Sequence, residues 1–223
     1  MDILLVPGFM LDADLWSDMR PGLARLGHIV DADTTQDGSI EAMADRAVRS
    51  MTEPTLLVGF SMGGYVARQI AYRAPERVLG LALIATSSRG SPPRAPTRLG
   101  RTGFRELSRG AVSRSLHPAH RSDELIARVQ RMSSRLGGDV FDRQSRLRRD
   151  DDTARLGEIR CPTLVVAAAN DELRSVEESV TLHEHIPQST MTIIDRTGHL
   201  IPLEQPARLM AALDAAFRHL AKD

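Results

Sequence analysis

Six short runs of branched apolar residues, set apart by segments with helical periodicity, restrict what this chain can fold into more than any other feature. The runs are Ile3–Val6, His28–Ala32, Thr55–Val58, Val78–Ala85, Pro162–Ala168 and Thr190–Ile194. They lack the polar alternation of a strand with one wet face, and so suit a parallel sheet covered on both sides. Between them lie helical stripes, such as Ile40, Met43, Ala44, Ala47 and Val48, and later Leu209, Met210, Leu213, Ala216, Phe217 and Leu220. Strand alternating with helix implies right-handed crossovers and an α/β class: a doubly wound, mostly parallel sheet of six strands. With 223 residues, 42% of them hydrophobic, one such body can bury a proper core.

One stretch breaks the alternation. From Ser87 to Glu158 there is no convincing strand. A Gly/Pro/Ser-rich turn, Ser87 to Pro93, leads into short helical patterns such as Leu125, Ile126, Val129 and Met132. The expected organisation is a core of residues 1–86 and 159–223 with a small helical insertion at 87–158. The insertion carries 16 arginines against nine acids, a net of +7, so the rest of the chain carries −7 and the two parts attract. Arginines along solvated helix faces account for this; an anionic substrate is the other reading.

Overall, basic and acidic residues balance at 29 each, so no global field recruits nucleic acid or an anionic membrane surface. No run approaches the ~18 apolar residues of a membrane span. The first residues, Met1 to Pro7, lack a basic segment followed by a longer apolar run. A single cysteine, Cys161, excludes an internal disulfide framework and cysteine-based zinc clusters. The expectation is a cytoplasmic protein acting on a small molecule, without metal or organic cofactor. Its oligomeric state leaves no trace in the sequence.

The most informative segment is Gly59-Phe60-Ser61-Met62-Gly63, a Gly-x-Ser-x-Gly pattern directly after an apolar strand. Directly after it comes a helix whose inward face would carry Met62, Val66, Ala67 and Ile70. A sharp strand-to-helix turn holds the serine in a strained conformation with its hydroxyl outward, and flanking glycines permit the close approach this needs. The helix N-terminus aims unpaired N–H groups at any oxyanion forming beside it. Serine needs a base, and the base an orienting acid.

His199, in a loop between the last strand and the last helix, stands where doubly wound sheets place their chemistry. Of the other histidines, His28, His183, His185 and His219 are read as structural; His117 and His120, in the insertion, have a substrate contact as an open alternative. Asp171, at the end of the Pro162–Ala168 run, is the chosen acid. Glu172 is the neighbouring alternative with one more methylene, and Asp195, only four residues before His199, has the less favourable geometry.

With Ser61, Asp171 and His199 in this order, the sequence resembles the α/β-hydrolase superfamily over nearly the whole chain outside Ser87–Glu158. The resemblance extends to Leu4-Leu5-Val6-Pro7-Gly8-Phe9-Met10 followed by Trp16, similar to the family's His-Gly-x segment, with Pro7 in place of the histidine. It implies backbone N–H donors for an oxyanion from Phe9 and Met62, a cap formed by the insertion, and a sheet order of 2-1-3-4-5-6. Within the superfamily the short cap resembles carboxylesterases and the 3-oxoadipate enol-lactonase branch. The implied activity is serine hydrolysis of a small carboxylic ester or lactone. Met10, Phe60, Phe104, Leu116, Met132 and Phe141 are candidates for an apolar pocket. Carbon–carbon bond hydrolysis, perhydrolysis, or a slow-turnover ligand sensor of the same fold are the alternatives.

Overall fold

The structure, a computed structural model, describes residues 1–93 and 103–222. Residues 94–102 of the expected insertion, and Asp223, lie outside the described residues. Six strands form one sheet: β1 (Asp2–Val6), β2 (His28–Asp31), β3 (Thr55–Phe60), β4 (Val78–Ile84), β5 (Thr163–Ala168) and β6 (Ser189–Ile194). Their order is β2-β1-β3-β4-β5-β6, and every pairing is parallel. Strands β3 and β5 are buried at every position, as near-continuous Leu, Val and Ala runs require. The edge strands β2 and β6 keep exposed positions, which is why Ser189, Thr190 and Thr192 interrupt the apolar pattern of β6.

Helices cover both faces. On one face pack α2 (Ile40–Ser50), which buries Ile40, Met43, Ala44 and Ala47, and α3 (Met62–Arg73), together with Leu182 of α6 (Val176–His185). On the other lie Leu23 of α1 (Arg20–Leu23), the fully buried Trp16, and Leu209, Leu213 and Phe217 of α8 (Pro206–Phe217), after the single-turn α7 (Ile201–Glu204). Between β4 and β5 come α4 (Arg109–Arg114) and the long α5 (Asp123–Ser145). Their Val112, Ile126, Val129 and Met132 join the same apolar cluster as the sheet. Among the described residues the only β pairing in this insertion is an isolated bridge from Ser91 to Arg149.

Gly137 breaks α5 with φ 75° and ψ −178°, in the left-handed region that glycine alone adopts without strain. The bend turns the last residues of α5 toward the loop after β1. There Gln144, 1% exposed, accepts from Met10 N–H at 2.8 Å and donates to the Thr34 carbonyl at 3.1 Å. The expected attraction between insertion and core takes a local form on the same side. Arg128 pairs with Asp14 and Asp18, and Arg135 with Asp12 and Asp14. Burial alone would raise the Asp14 carboxyl, but the Ser17 hydroxyl and the two guanidiniums outweigh it and hold it below the usual carboxylate range. Part of the arginine excess is thereby spent on joining the insertion to the β1 loop.

No helix among the described residues is long and apolar enough to cross a membrane. Nor do the described residues include a group of three or more His, Cys, Asp or Glu side chains arranged to hold a metal ion.

Candidate active site

A parallel sheet brings the carboxyl ends of all its strands to one rim, and the strained residues collect there. Among the described residues, Met10, Ser61, Ala85 and Arg196 are the non-glycine residues with positive φ, and they follow β1, β3, β4 and β6. Such conformations cost of order 1–3 kcal/mol each and persist only where the surroundings enforce them. At Ser61 (φ 51°, ψ −111°) the enforcement is visible. Its N–H donates to the Ile84 carbonyl at 2.9 Å, and its carbonyl accepts from Gly64 N–H at 3.0 Å and Thr86 Oγ at 2.8 Å. A Cβ on Gly59 would lie 2.6 Å from the Gly63 carbonyl oxygen, and one on Gly63 would lie 2.1 Å from that of Val6. The glycines two residues either side of Ser61 therefore let α3 start against the sheet, as the sequence pattern requires.

The three residues singled out by their order in the chain meet at this rim. His199 Nε2 lies 2.9 Å from Ser61 Oγ, and His199 Nδ1 lies 2.7 Å from Asp171 Oδ2. The Asp171 side chain is 1% exposed. Its other oxygen accepts from Leu173 N–H at 2.7 Å and Arg174 N–H at 3.0 Å, which fixes the plane of the carboxylate. The imidazole packs on the Phe60 ring, centroids 5.1 Å apart. Glu172 faces outward, 3.8 Å from Arg121, and Asp195 is exposed, so neither takes the place of Asp171.

A cavity of about 250 Å³ opens over Ser61 and His199. Phe9, Leu11, Phe60, Leu173 and Leu200 line it from the core side, and Leu107, Ala111, Val112, Arg114, Ser115 and Val129 from the insertion. Of the six pocket candidates only Phe60 is among these residues. Met10, Leu116 and Met132 are packed away from solvent at 0–2% exposure: Met132 of α5 and Leu116, just after α4, join the apolar cluster on the sheet, and Met10 is buried in the loop after β1. Phe104 stacks on Phe141 at 4.1 Å, and Phe141 meets Phe9 edge-on at 5.9 Å, so this aromatic group buttresses Phe9 from behind and does not line the cavity. His117 and His120 are not lining residues either; both adjoin the buried Glu204.

Met62, the first residue of α3, and Phe9, a cavity-lining residue after β1, stand at the two positions expected to supply oxyanion donors. Met10 N–H is committed to Gln144. This bond from α5 braces the loop that carries Pro7. Sequence reasoning misses Gln144, because a partner 134 residues away leaves no local signal. It also misses Arg114 and Glu204, although a carboxylate at the end of the apolar turn Leu200 to Leu203 is itself an anomaly that calls for buried donors.

Known proteins resemble this chain over most of its length. Residues 3–213 match the alpha/beta hydrolase family. The chain is 31% identical over 185 residues to a putative carbamate hydrolase RutD of Agrobacterium fabrum, covering 76% of this chain and 71% of that protein. It is 25% identical over 234 residues to a pimeloyl-[acyl-carrier protein] methyl ester esterase of Neisseria meningitidis, covering 95% and 91%. Among solved structures, a thermophilic esterase from Thermogutta terrifontis superposes with a TM-score of 0.82 at 28% identity, covering 100% of this chain and 91% of that one. A six-stranded parallel sheet, a strained serine between strand and helix, and a match over nearly the full length lead to one conclusion: the chain belongs to the alpha/beta hydrolase family.

Proposed function

We propose that the protein is a serine hydrolase cleaving a small carboxylic ester or lactone through an acyl-enzyme on Ser61. The observation that carries this reading is the continuous line from Ser61 Oγ through His199 to Asp171, both links at hydrogen-bond distance, facing a cavity. His199 Nε2 takes the Ser61 proton as the oxygen attacks the carbonyl, and Asp171 stabilises the imidazolium that results. Backbone N–H groups of Phe9 and Met62 receive the oxyanion, each such donor being worth roughly 10²–10³ in rate. The proton then passes from His199 to the leaving alkoxide. Water, activated by the same imidazole, releases the acid. Residues 87–158 act as the cap that shapes the pocket. A volume of about 250 Å³ suits small acyl and alcohol groups. The relatives' names, a carbamate hydrolase and esterases, describe cleavage at an acyl carbonyl, in keeping with this reading.

The test is labelling by a fluorophosphonate together with hydrolysis of p-nitrophenyl acetate and butyrate. The wild type is expected to be labelled at Ser61 and to turn over both esters, whereas Ser61→Ala and His199→Ala do neither. Ester hydrolysis surviving Ser61→Ala would refute the proposal.

Arg114 sets a preference within this class. It is exposed, and it is the one formally charged side chain among the described lining residues. Esters with a carboxylate remote from the scissile carbonyl should therefore be favoured over neutral isosteres. Arg114→Glu should lower kcat/KM for the anionic ester about tenfold, the worth of one charge-assisted hydrogen bond, and leave the neutral ester nearly unchanged. Paired kinetics on the monoanionic and neutral esters decide the matter.

A further inference from the structure

Glu204 ends the turn Leu200-Ile201-Pro202-Leu203-Glu204 that follows His199, and its side chain is fully buried. A carboxylate removed from water must be compensated by donors. Here Oε1 accepts from Leu200 N–H at 3.1 Å, and Oε2 accepts from Gly198 N–H at 3.0 Å and His117 N–H at 2.8 Å. His120 Nδ1 lies 3.3 Å from Oε2. Gly198 and Leu200 are the residues on either side of His199; His117 belongs to the insertion.

A second tie runs beside the first. His199 N–H donates to the Ser115 carbonyl at 2.8 Å, and a Cβ on Gly198 would lie 2.5 Å from the His117 nitrogen. Ser115 also lines the cavity over Ser61. The loop carrying the imidazole and one wall of the cavity are thus a single hydrogen-bonded unit centred on one carboxylate.

We infer that Glu204 is a positioning residue, holding the amides of the two residues that flank His199 and joining them to the cavity wall so that the imidazole reaches Ser61 and Asp171 together. The inference rests on the reading of His199 as the base. Both links of His199 are short, 2.9 and 2.7 Å, and a misplacement of about 1 Å in such an array costs around 10²-fold in rate.

Glu204→Gln separates positioning from space-filling. Glutamine has nearly the same shape but one acceptor oxygen, whereas both oxygens of Glu204 accept backbone N–H groups. Its NH2 must face either Leu200 N–H or the Gly198 and His117 pair, donor against donor. Expected is a fall in kcat of about 10²-fold for the folded protein, partly recovered in Glu204→Asp, which keeps both oxygens. The far-downfield proton resonance of the His199 Nδ1 to Asp171 hydrogen bond, assigned by its loss in His199→Ala, is expected to shift or broaden in Glu204→Gln.

A folded Glu204→Gln with kcat within twofold of wild type and an unmoved resonance would overturn the inference. Should that variant not fold, hydrogen exchange on the wild type decides. The amides of Gly198, Leu200 and His117 are expected to be strongly protected, and exchange as fast as that of exposed loops would overturn it. The resonance and exchange measurements do not depend on turnover. Failure of the hydrolase reading would show separately, as absence of fluorophosphonate labelling of wild-type Ser61.

Discussion

Asp171→Asn is expected to lower kcat for ester hydrolysis by roughly 10⁴-fold while leaving the fold intact, the size of loss that follows when the base is held in its wrong tautomer. The hydrogen bonds around this residue dictate the outcome. One oxygen of Asp171 accepts two backbone N–H groups, from Leu173 and Arg174, and the other meets His199 Nδ1. An asparagine must turn its single oxygen toward the two backbone donors, which leaves its NH2 facing His199. Nδ1 then becomes the acceptor, and the ring proton moves to Nε2, the nitrogen that has to take the proton of Ser61. The imidazole keeps its place and loses its basic edge. Steady-state kinetics on p-nitrophenyl acetate, with a thermal melt to show that the chain remains folded, check this. Activity within tenfold of wild type would mean that Asp171 does not set the tautomer.

Part of the candidate site was legible in the sequence. Ser61, Asp171 and His199 were legible because each sits at the carboxyl end of an apolar run, and a parallel sheet gathers those ends whatever the details of packing. The six strands were legible as continuous apolar runs, whereas their order came only as what the resemblance to the α/β-hydrolase superfamily implies. The pocket was not. Whether Met132 or Val129 faces the cavity depends on the rotation of α5, and that rotation depends on the bend at Gly137 and on the Arg128 and Arg135 pairs with the β1 loop. A single sequence lists the residues of such a helix without fixing its roll. The residues that hold the site in shape, Gln144 and Glu204, act through backbone groups whose direction appears only once the loops are closed.

A pair of buried charges behind the serine helix carries the largest expected effect on stability. Arg68, on α3, is fully buried, and its partner Asp152, in the last part of the insertion, nearly so. The guanidinium donates to both carboxylate oxygens at 2.8 and 2.9 Å and to the Ser87 carbonyl at 2.8 Å, and Tyr72 Oη donates to Asp152 at 3.0 Å. Burial works against the charged guanidinium, but the Asp152 carboxylate outweighs it, so Arg68 holds its proton more tightly than an ordinary arginine.

Asp152→Ala leaves this charge without a counter-ion and should cost about 3–5 kcal/mol, or roughly 10 °C in Tm for a chain of this size. Replacing both partners, Arg68→Met with Asp152→Leu, removes the desolvation penalty along with the attraction. The double variant should regain most of the loss, although the Ser87 carbonyl and Tyr72 hydroxyl lose their partners.

The same network predicts a pH limit. Burial first, and then the neighbouring Asp152 charge, push the Tyr72 phenol well above its usual value of 10.0, so the folded state keeps it neutral while the unfolded chain ionises near that value. The sign follows: stability from this group is complete below about pH 10 and declines above it, because only the unfolded state releases the proton. Tyr72→Phe should flatten that decline at the expense of one hydrogen bond, about 1 kcal/mol. Melting curves of the wild type, the two single variants Asp152→Ala and Tyr72→Phe, and the double charge replacement between pH 7 and pH 11 test all of this together. If Asp152→Ala melts at the wild-type temperature, the buried pair is not what fastens the end of the insertion to the serine helix.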